Sequence, residues 1–123
     1  MEFDPTSNAV IGCAIEVHRH LGPGLLESAY ERCLAREMDL VGLRFELQRP
    51  IPLAYKGVQL DCGYRIDAIV NETVLLELKS VEALAGIHEA QLLTYMKLAN
   101  IRIGLLINFN VPLLKKGIIR RIL

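Results

Sequence analysis

Three charged side chains stand in apolar segments where a strand would bury them: Asp67 in YRIDAIV, and Glu77 and Lys79 in TVLLELKS. Both segments predict β-strands, and because side chains alternate along a strand, Glu77 and Lys79 point to the same face. Taken alone, an E-x-K pattern is more often a solvated strand face than a site. The carboxylate on the preceding strand changes that interpretation, because two carboxylates and a lysine together favour a metal site.

The ten-residue spacing between Asp67 and Glu77 makes their relation depend on the connecting loop. An antiparallel hairpin with a three-residue loop at residues 71–73 pairs the two carboxylates directly, on one face. A two-residue loop instead places Asp67 opposite Leu76 and separates the carboxylates. Paired carboxylates repel each other unless a positive charge lies between them. Lys79 is one candidate for that charge, and a divalent cation is the other, since hard oxygen ligands suit magnesium.

A polar stripe on the third predicted helix adds a further layer to this group. In HEAQLLTYMK, His88, Gln91 and Tyr95 stand at i, i+3 and i+7, and therefore on one side of a helix. The strand that ends in Lys79 precedes this helix, so the stripe is expected to pack close to it. The alternative is that these residues face solvent while the apolar residues of the helix form the core.

Another candidate lies near the N-terminus, in the stretch LGPGLLESAYERCL. Two glycines and a proline precede a predicted helix, and Gly24, Glu27 and Tyr30 recur at helical spacing. Glu27 is unexpected on an otherwise apolar face, and one explanation is that it complements the positive N-terminus of its own helix. The glycine is expected to let the sheet or a ligand approach the helix.

The composition predicts one compact domain. Hydrophobic residues make up 52% of the 123 residues and charged residues 23%, so residues 1–123 are interpreted as a single globular domain. The apolar runs are too short to span a bilayer, and the N-terminus shows no signal-peptide pattern, which predicts a cytoplasmic protein without a membrane partner. Three cysteines without paired spacing disfavour a structural zinc site.

The charge is unevenly distributed, although the formal net charge is zero. The segment from residue 97 to the end carries six basic residues and no acid, while the first 96 residues hold 8 basic and 14 acidic residues. Such a basic end offers contacts to a phosphate backbone, and a solvated tail is the alternative. The candidates for those contacts are Lys115, Lys116, Arg120 and Arg121.

These residues need a framework of helices and strands to bring them together. Hydrophobic periodicity predicts a first helix capped by Ser7 or Asn8 and ended by Gly22, with further helices at residues 25–39 and 82–99. Extended segments are predicted at residues 44–53, 58–70, 74–80, 101–109 and 118–123. The order ααβββαββ predicts an α/β domain with a central mixed β-sheet flanked by helices.

Together these residues resemble the PD-(D/E)xK nuclease superfamily. Asp67 resembles the acidic residue of its second core strand, residues 77–79 resemble its E-x-K, and residues 91–95 resemble the QxxxY of RecB-like and lambda-exonuclease-like members. The proline of the superfamily name is absent, since Ile66 precedes Asp67. Residues 24–30 spell the signature of the small GxxExxY family, and the resemblance covers nearly the whole chain.

The resemblance implies a restriction-endonuclease-like core and metal-dependent hydrolysis of phosphodiester bonds. It implies Mg²⁺ or Mn²⁺ held by Asp67, Glu77 and the backbone carbonyl of Leu78, with Glu27 as a further ligand, directly or through water. Lys79 would orient or help deprotonate the nucleophile and offset developing negative charge.

The remaining site residues have supporting roles in this interpretation. Gln91 and Tyr95 would hold Lys79 or a phosphate oxygen, while His88 and Arg65 would contact the nucleic acid. The expected partner is nucleic acid, with DNA as the expected polymer, and a homodimer is a further expectation. Two other classes stay open: a nuclease fold that only binds nucleic acid or protein, and a carboxylate-pair hydrolase acting on sugars. Lys79 between the carboxylates and the absence of Trp count against the sugar hydrolase.

Overall fold

Two helices open the fold in the computed structural model, which describes residues 3–123. Helix α1 spans Pro5–Leu21, and Asp4 caps it by accepting a hydrogen bond from the Ser7 backbone N–H at 2.9 Å. The cap therefore lies earlier than expected, because Pro5 fits the first turn of a helix, where no N–H donor is needed. Helix α2 spans Glu27–Leu40 and begins without a side-chain cap.

Seven strands follow, and five of them form one sheet. The strands are β1 Phe45–Pro50, β2 Leu53–Tyr55, β3 Val58–Leu60, β4 Arg65–Val70, β5 Val74–Lys79, β6 Ile103–Asn108 and β7 Ile118–Ile122. The order across the sheet is β1-β4-β5-β6-β7, in which β5 and β6 are parallel and the other neighbours antiparallel. The parallel pair is connected through helix α3, Gly86–Ala99, as a parallel connection requires. The predicted mixed α/β class is confirmed.

The two long strands predicted at residues 44–53 and 58–70 are each divided into two. Residues 45–50 pair with residues 65–70 in the main sheet, whereas β2 and β3 form a separate two-stranded hairpin. Pro50 and Pro52 lack the N–H that a continuous ladder needs, and Gly63 has a φ of +76° between β3 and β4. The meander order is therefore right, but a short hairpin projects from it.

Alternating side chains of the sheet bury two separate apolar layers. Helices α1 and α2 cover one face, where Leu76 packs with Val10 and Leu34, and α3 covers the other face, where Leu75 packs with Leu92 and Met96. Each fully buried leucine of this kind stabilises the fold by roughly 2 kcal/mol. The middle of β5 is thus fixed on both sides, which holds the charged residues at its C-terminal end in place.

Gly104 on β6 permits α3 to approach the sheet. A Cβ atom at this position would lie 2.4 Å from the Met96 sulfur, so the Met96 side chain packs into the space that a Cβ would fill. None of the helices within residues 3–123 combines the length and the apolar character that a bilayer span requires.

Candidate active site

The β4–β5 hairpin determines how the two strand carboxylates meet. Val70 pairs with Val74 across a three-residue loop, and Ala68 pairs with Leu76. The three-residue loop predicted from the sequence is therefore confirmed, and its register brings Asp67 and Glu77 next to each other. Positive φ angles at the first two loop residues, 52° and 57°, allow the chain to turn within so few residues.

The regular ladder ends where the two carboxylates begin. The Asp67 backbone N–H donates to Glu77 Oε2 at 2.9 Å, and the Leu78 backbone N–H donates to Asp67 Oδ2 at 2.7 Å. The carboxylates thus replace the strand-to-strand bonds of this pair and lie in the gap between β4 and β5. Each carboxylate satisfies a backbone donor that the separated strands would otherwise leave unpaired.

The two carboxylates enter this gap from different sides, so the prediction that they share one sheet face is wrong. Ala68 packs with the α1–α2 layer, but Ile66, two residues earlier, packs with the α3 layer. The side chains of β4 therefore do not alternate regularly between the two faces of the sheet at Asp67. Asp67 itself lines a cleft beside α2. Glu77 lies two residues after Leu75 on β5 and therefore on the same face of the sheet, the face that α3 covers.

Burial makes this pair electrostatically unusual. Glu77 is 3% exposed, and burial, followed by the nearby Asp67 carboxylate, raises its pKa from 4.5 to about 8. Burial also raises the pKa of Asp67, against the opposing effects of the Leu78 N–H, Gln48 and Lys79. None of the ion pairs among residues 3–123 includes Asp67, Glu77 or Lys79. The pair therefore lacks a directly bound positive charge.

Lys79 makes a hydrogen bond to one side chain of α3, which is bonded in turn to a second. Its Nζ donates to Gln91 Oε1 at 3.5 Å, and Gln91 Nε2 donates to the Tyr95 hydroxyl at 2.9 Å. Tyr95 is 6% exposed, and burial raises the pKa of its hydroxyl. The predicted stripe therefore faces Lys79 and not solvent, at least for Gln91 and Tyr95.

Glu27 is the first residue of α2 and reaches the end of β5. Its Oε2 accepts a hydrogen bond from the Ser80 backbone N–H at 3.2 Å, and its charge contributes to the raised pKa values of Asp67 and Glu77. Glu27 thus lies at the helix N-terminus and also near the two carboxylates. The two interpretations of Glu27 left open by the sequence are both compatible with this position.

The loop before α2 is held by Tyr30. The Tyr30 hydroxyl donates to the Gly22 carbonyl at 2.6 Å and accepts from the Leu25 N–H at 3.2 Å, while its ring stacks on Phe109 at 4.4 Å. Gly24 precedes the helix with a φ of +101°, and nothing lies within 4 Å of its missing Cβ. Gly24 therefore serves the turn, and the expected close approach of the sheet or a ligand is not its role.

A cleft of about 480 Å³ opens beside Asp67. Several residues of its lining were not identified from the sequence, among them the polar side chains of Ser28, Glu31 and Gln48. Ser28 and Glu31 follow Glu27 on α2, so helical spacing would have indicated Glu31. Gln48 carries no comparable signal in the sequence. Because the cleft holds three carboxylates, a phosphate group approaches it only with a cation to offset their charge.

Two candidates for nucleic-acid contact lie apart from this cleft. Arg65 lines a different cleft with Pro50, Gln59 and Asp61, so its predicted place on the face of Asp67 is not observed. The His88 Nδ1 accepts a hydrogen bond from the Ala85 backbone N–H at 2.9 Å and thereby caps α3. The structure thus gives His88 a capping role at the start of its helix.

Two arginines of the basic C-terminal end form ion pairs within the protein. Arg120 binds Asp4 at 2.8 Å, whereas Arg121 forms an ion pair with Glu89 of α3. The two arginines belong to an edge strand and point to opposite faces of the sheet, so the predicted contacts of these arginines, Lys115 and Lys116 with a phosphate backbone would lie on more than one face, and they stay a prediction. The solvated-tail alternative is wrong for residues 118–122.

The donor set fits a hard divalent cation in its chemistry. Among residues 3–123, no three His, Cys, Asp or Glu side chains converge as a metal-binding cluster. Asp67 and Glu77 nevertheless place two carboxylates in one gap without a bound positive charge, which is the arrangement that a divalent cation stabilises. Their oxygens accept bonds from backbone N–H groups here, so these bonds compete with a cation.

A family model described as the PD-(D/E)XK nuclease superfamily matches residues 4–122. This match agrees with the five-stranded mixed sheet and its flanking helices, so the expected restriction-endonuclease-like fold is confirmed. No curated protein and no solved structure matches the chain.

Proposed function

We propose that this chain, which belongs to the PD-(D/E)XK nuclease superfamily, is a divalent-metal-dependent nuclease that hydrolyses phosphodiester bonds in DNA. One observation carries the proposal: Asp67 and Glu77 meet where β4 and β5 separate, and Lys79 follows on β5 in contact with Gln91. A nuclease fold that only scaffolds a partner has no need for this combination of buried acids and a positioned lysine.

The proposed cofactor is Mg²⁺ or Mn²⁺. The carboxylates of Asp67 and Glu77 and the backbone carbonyl of Leu78 would hold it, with Glu27 as a further ligand. Bound there, such an ion supplies Lewis-acid polarisation of the phosphate and a lower pKa for the attacking water. The acidic lining of the cleft then becomes compatible with an anionic substrate.

The protein residues perform the remaining steps. Lys79 orients the attacking water and stabilises negative charge that develops on the phosphate. Gln91 accepts from Lys79 and donates to Tyr95, so this chain of hydrogen bonds connects the lysine to α3. Since Tyr95 is buried, the end of this chain is rigid.

We also assign the chain to the GxxExxY group on the basis of residues 24–30. Gly24 supplies the positive φ of the turn, Glu27 reaches Ser80 beside the strand carboxylates, and Tyr30 holds the preceding loop. Each residue of the signature thus has a separate task in placing Glu27. This distribution supports a metal-site role for Glu27 over a simple helix-start charge.

Calorimetric titration with Mg²⁺ and with Mn²⁺ tests the proposal. The wild type is expected to bind at least one of the ions and to cleave DNA, while Asp67→Ala loses both activities because it removes one of two strand carboxylates. Asp39→Ala, which removes an exposed carboxylate at the far end of α2, is the matched control and is expected to behave as wild type. RNA and single-stranded DNA are tested beside duplex DNA.

Absence of both binding and cleavage in the folded wild type would reject the nuclease proposal. Binding of nucleic acid without cleavage under any metal condition would favour the binding module instead.

Glu27→Gln separates the two interpretations of that residue. In EDTA, the mutant is expected to be as stable as the wild type or more stable, because three carboxylates no longer crowd one region. Its affinity for Mg²⁺ and its cleavage rate are expected to fall. Thermal melts with EDTA and with Mg²⁺ measure both effects, and Glu37→Gln on the same helix is the control.

If Glu27 is only a charge at the start of its helix, the change in stability on substitution has the opposite sign. In that case Glu27→Gln would lower the stability in EDTA by roughly 0.3–1 kcal/mol and gain as much from Mg²⁺ as the wild type.

A further inference from the structure

Gln48 has a backbone conformation that is unusual for its residue type and position. It lies inside β1 with a φ of +55°, in the left-handed region that disfavours a residue with a Cβ. The ladder with β4 is in the same register on both sides, with Leu47 paired to Ala68 and Arg49 paired to Ile66. No extra residue is therefore inserted, and the strain is confined to Gln48 and its position opposite Asp67.

This conformation reverses the alternation of β1. Phe45 and Leu47 pack with the α1–α2 layer, whereas Ile51 packs with the α3 layer. The same reversal occurs in β4 at Asp67, so both strands change faces at one pair of residues. As a result, Gln48 and Asp67 lie together in the cleft against α2.

The Gln48 side chain then connects α2 to Asp67. Its Nε2 lies 2.5 Å from Glu31 Oε1 and 3.3 Å from Asp67 Oδ1. Both partners of Nε2 are carboxyl oxygens, so the amide is oriented with its NH₂ toward Glu31 and Asp67 and its carbonyl oxygen away from them. With the Leu78 N–H on Oδ2, both oxygens of Asp67 are oriented.

We propose that Gln48 is a positioning residue for Asp67, and that its strained backbone is retained to place this carboxylate at the metal site. Glu31 orients Gln48 in turn. The value of this arrangement for metal binding rests on the proposed nuclease function, whereas the positioning of Asp67 is a property of the metal-free protein. The two parts are therefore measured separately.

Three variants isolate the side chain from the backbone. Gln48→Gly removes the amide and accommodates the positive φ, Gln48→Ala removes the amide and keeps the strain, and Lys56→Gly is the control. Lys56 has a φ of +49° in the turn between β2 and β3, far along the hairpin from the cleft. Glycine at either position is expected to leave the melting temperature unchanged or to raise it.

The first readout is amide hydrogen exchange in EDTA, measured by NMR. Gln48→Gly and Gln48→Ala are expected to speed exchange of the Leu78 amide by about fivefold to tenfold, because Asp67 is no longer held as its acceptor. The Leu76 amide in the regular ladder and all amides of Lys56→Gly are expected to be unchanged. Unchanged exchange at Leu78 in both Gln48 variants would overturn the positioning role, whatever the enzyme activity.

The second readout is Mg²⁺ affinity and cleavage. Both Gln48 variants are expected to lose about 10- to 100-fold in affinity, with a similar loss in cleavage, although Gln48→Gly melts no lower than the wild type. Wild-type affinity in a folded Gln48→Gly would overturn the link to the metal site. A wild type that neither binds metal nor cleaves would reject the nuclease proposal instead, while the exchange readout would still decide whether Gln48 positions Asp67.

Discussion

Lys79→Ala is expected to abolish metal-dependent cleavage of DNA while the protein stays folded. The ammonium group acts on the reacting phosphate and water, so its loss is expected to slow cleavage by about 10²- to 10⁴-fold. The side chain is half-buried at the end of β5, makes one long hydrogen bond to Gln91 and belongs to neither apolar cluster. Its removal therefore changes stability little.

Cleavage rates and circular dichroism of the same preparations measure this result. Lys97→Ala removes an exposed lysine in the last turn of α3 and is expected to cleave as the wild type does. Full activity in a folded Lys79→Ala would remove Lys79 from the mechanism. Loss of the folded state would instead show that the lysine is needed to offset the buried carboxylates.

Gln91 and Tyr95 give this experiment a second step. If they act through Lys79, Gln91→Ala lowers the cleavage rate in the wild-type background and has no further effect in Lys79→Ala. Such non-additivity is the signature of side chains that work as one unit. The hydrogen bonds from Lys79 to Gln91 and from Gln91 to Tyr95 are the physical connection that predicts it.

The register of the site could be predicted because it depends on local features. Ten residues separate Asp67 from Glu77, and the loop of residues 71–73 contains Asn71, which tolerates a positive φ. The E-x-K spacing and the helical spacing from Gln91 to Tyr95 are likewise local. Periodicity therefore brought these side chains together without knowledge of distant contacts.

The features that could not be predicted depend on distant contacts. Gln48 is neither a glycine nor an asparagine, the residues that usually indicate a positive φ, and its side chain contacts two residues that are distant in the sequence, Glu31 and Asp67. Sequence alternation consequently assigned Asp67 to the wrong face. The ion pair of Arg120 could not be predicted, because its partner, Asp4, lies 116 residues away in the sequence.

The last expected result concerns the stability of the metal-free protein, which should fall as the pH rises from about 5 to about 8. Glu77 has a pKa of about 8 in the folded protein, against an ordinary value of 4.5, because it is buried and lies beside Asp67. Between these two values the folded state holds a proton that the unfolded state has released. The contribution of Glu77 to stability is therefore greatest below a pH of 4.5 and is lost as the pH rises through about 8.

The size of this effect follows from the linkage between proton binding and folding. One such group changes the free energy of unfolding by up to about 1.4 kcal/mol per pH unit. Burial raises the pKa of Asp67 as well, so this neighbour contributes in the same direction. Glu27 also raises the pKa of Glu77, while Lys79 lowers it; Tyr95 lies close on α3, and burial raises the pKa of its hydroxyl.

Denaturant titrations in EDTA at about pH 6 and about pH 8 measure the change. Glu77→Gln has no proton to release at this position, so its stability is expected to vary much less over this range, and the difference between variant and wild type isolates the titration of Glu77 and of the groups coupled to it, such as Asp67. Saturating Mg²⁺ is expected to weaken the dependence of wild-type stability on pH, because the cation replaces the proton on Glu77. If the free energy of unfolding changes equally with pH in wild type and Glu77→Gln, Glu77 is ionised in the folded protein. If it does not change with pH in the metal-free wild type, the carboxylate pair has another source of positive charge.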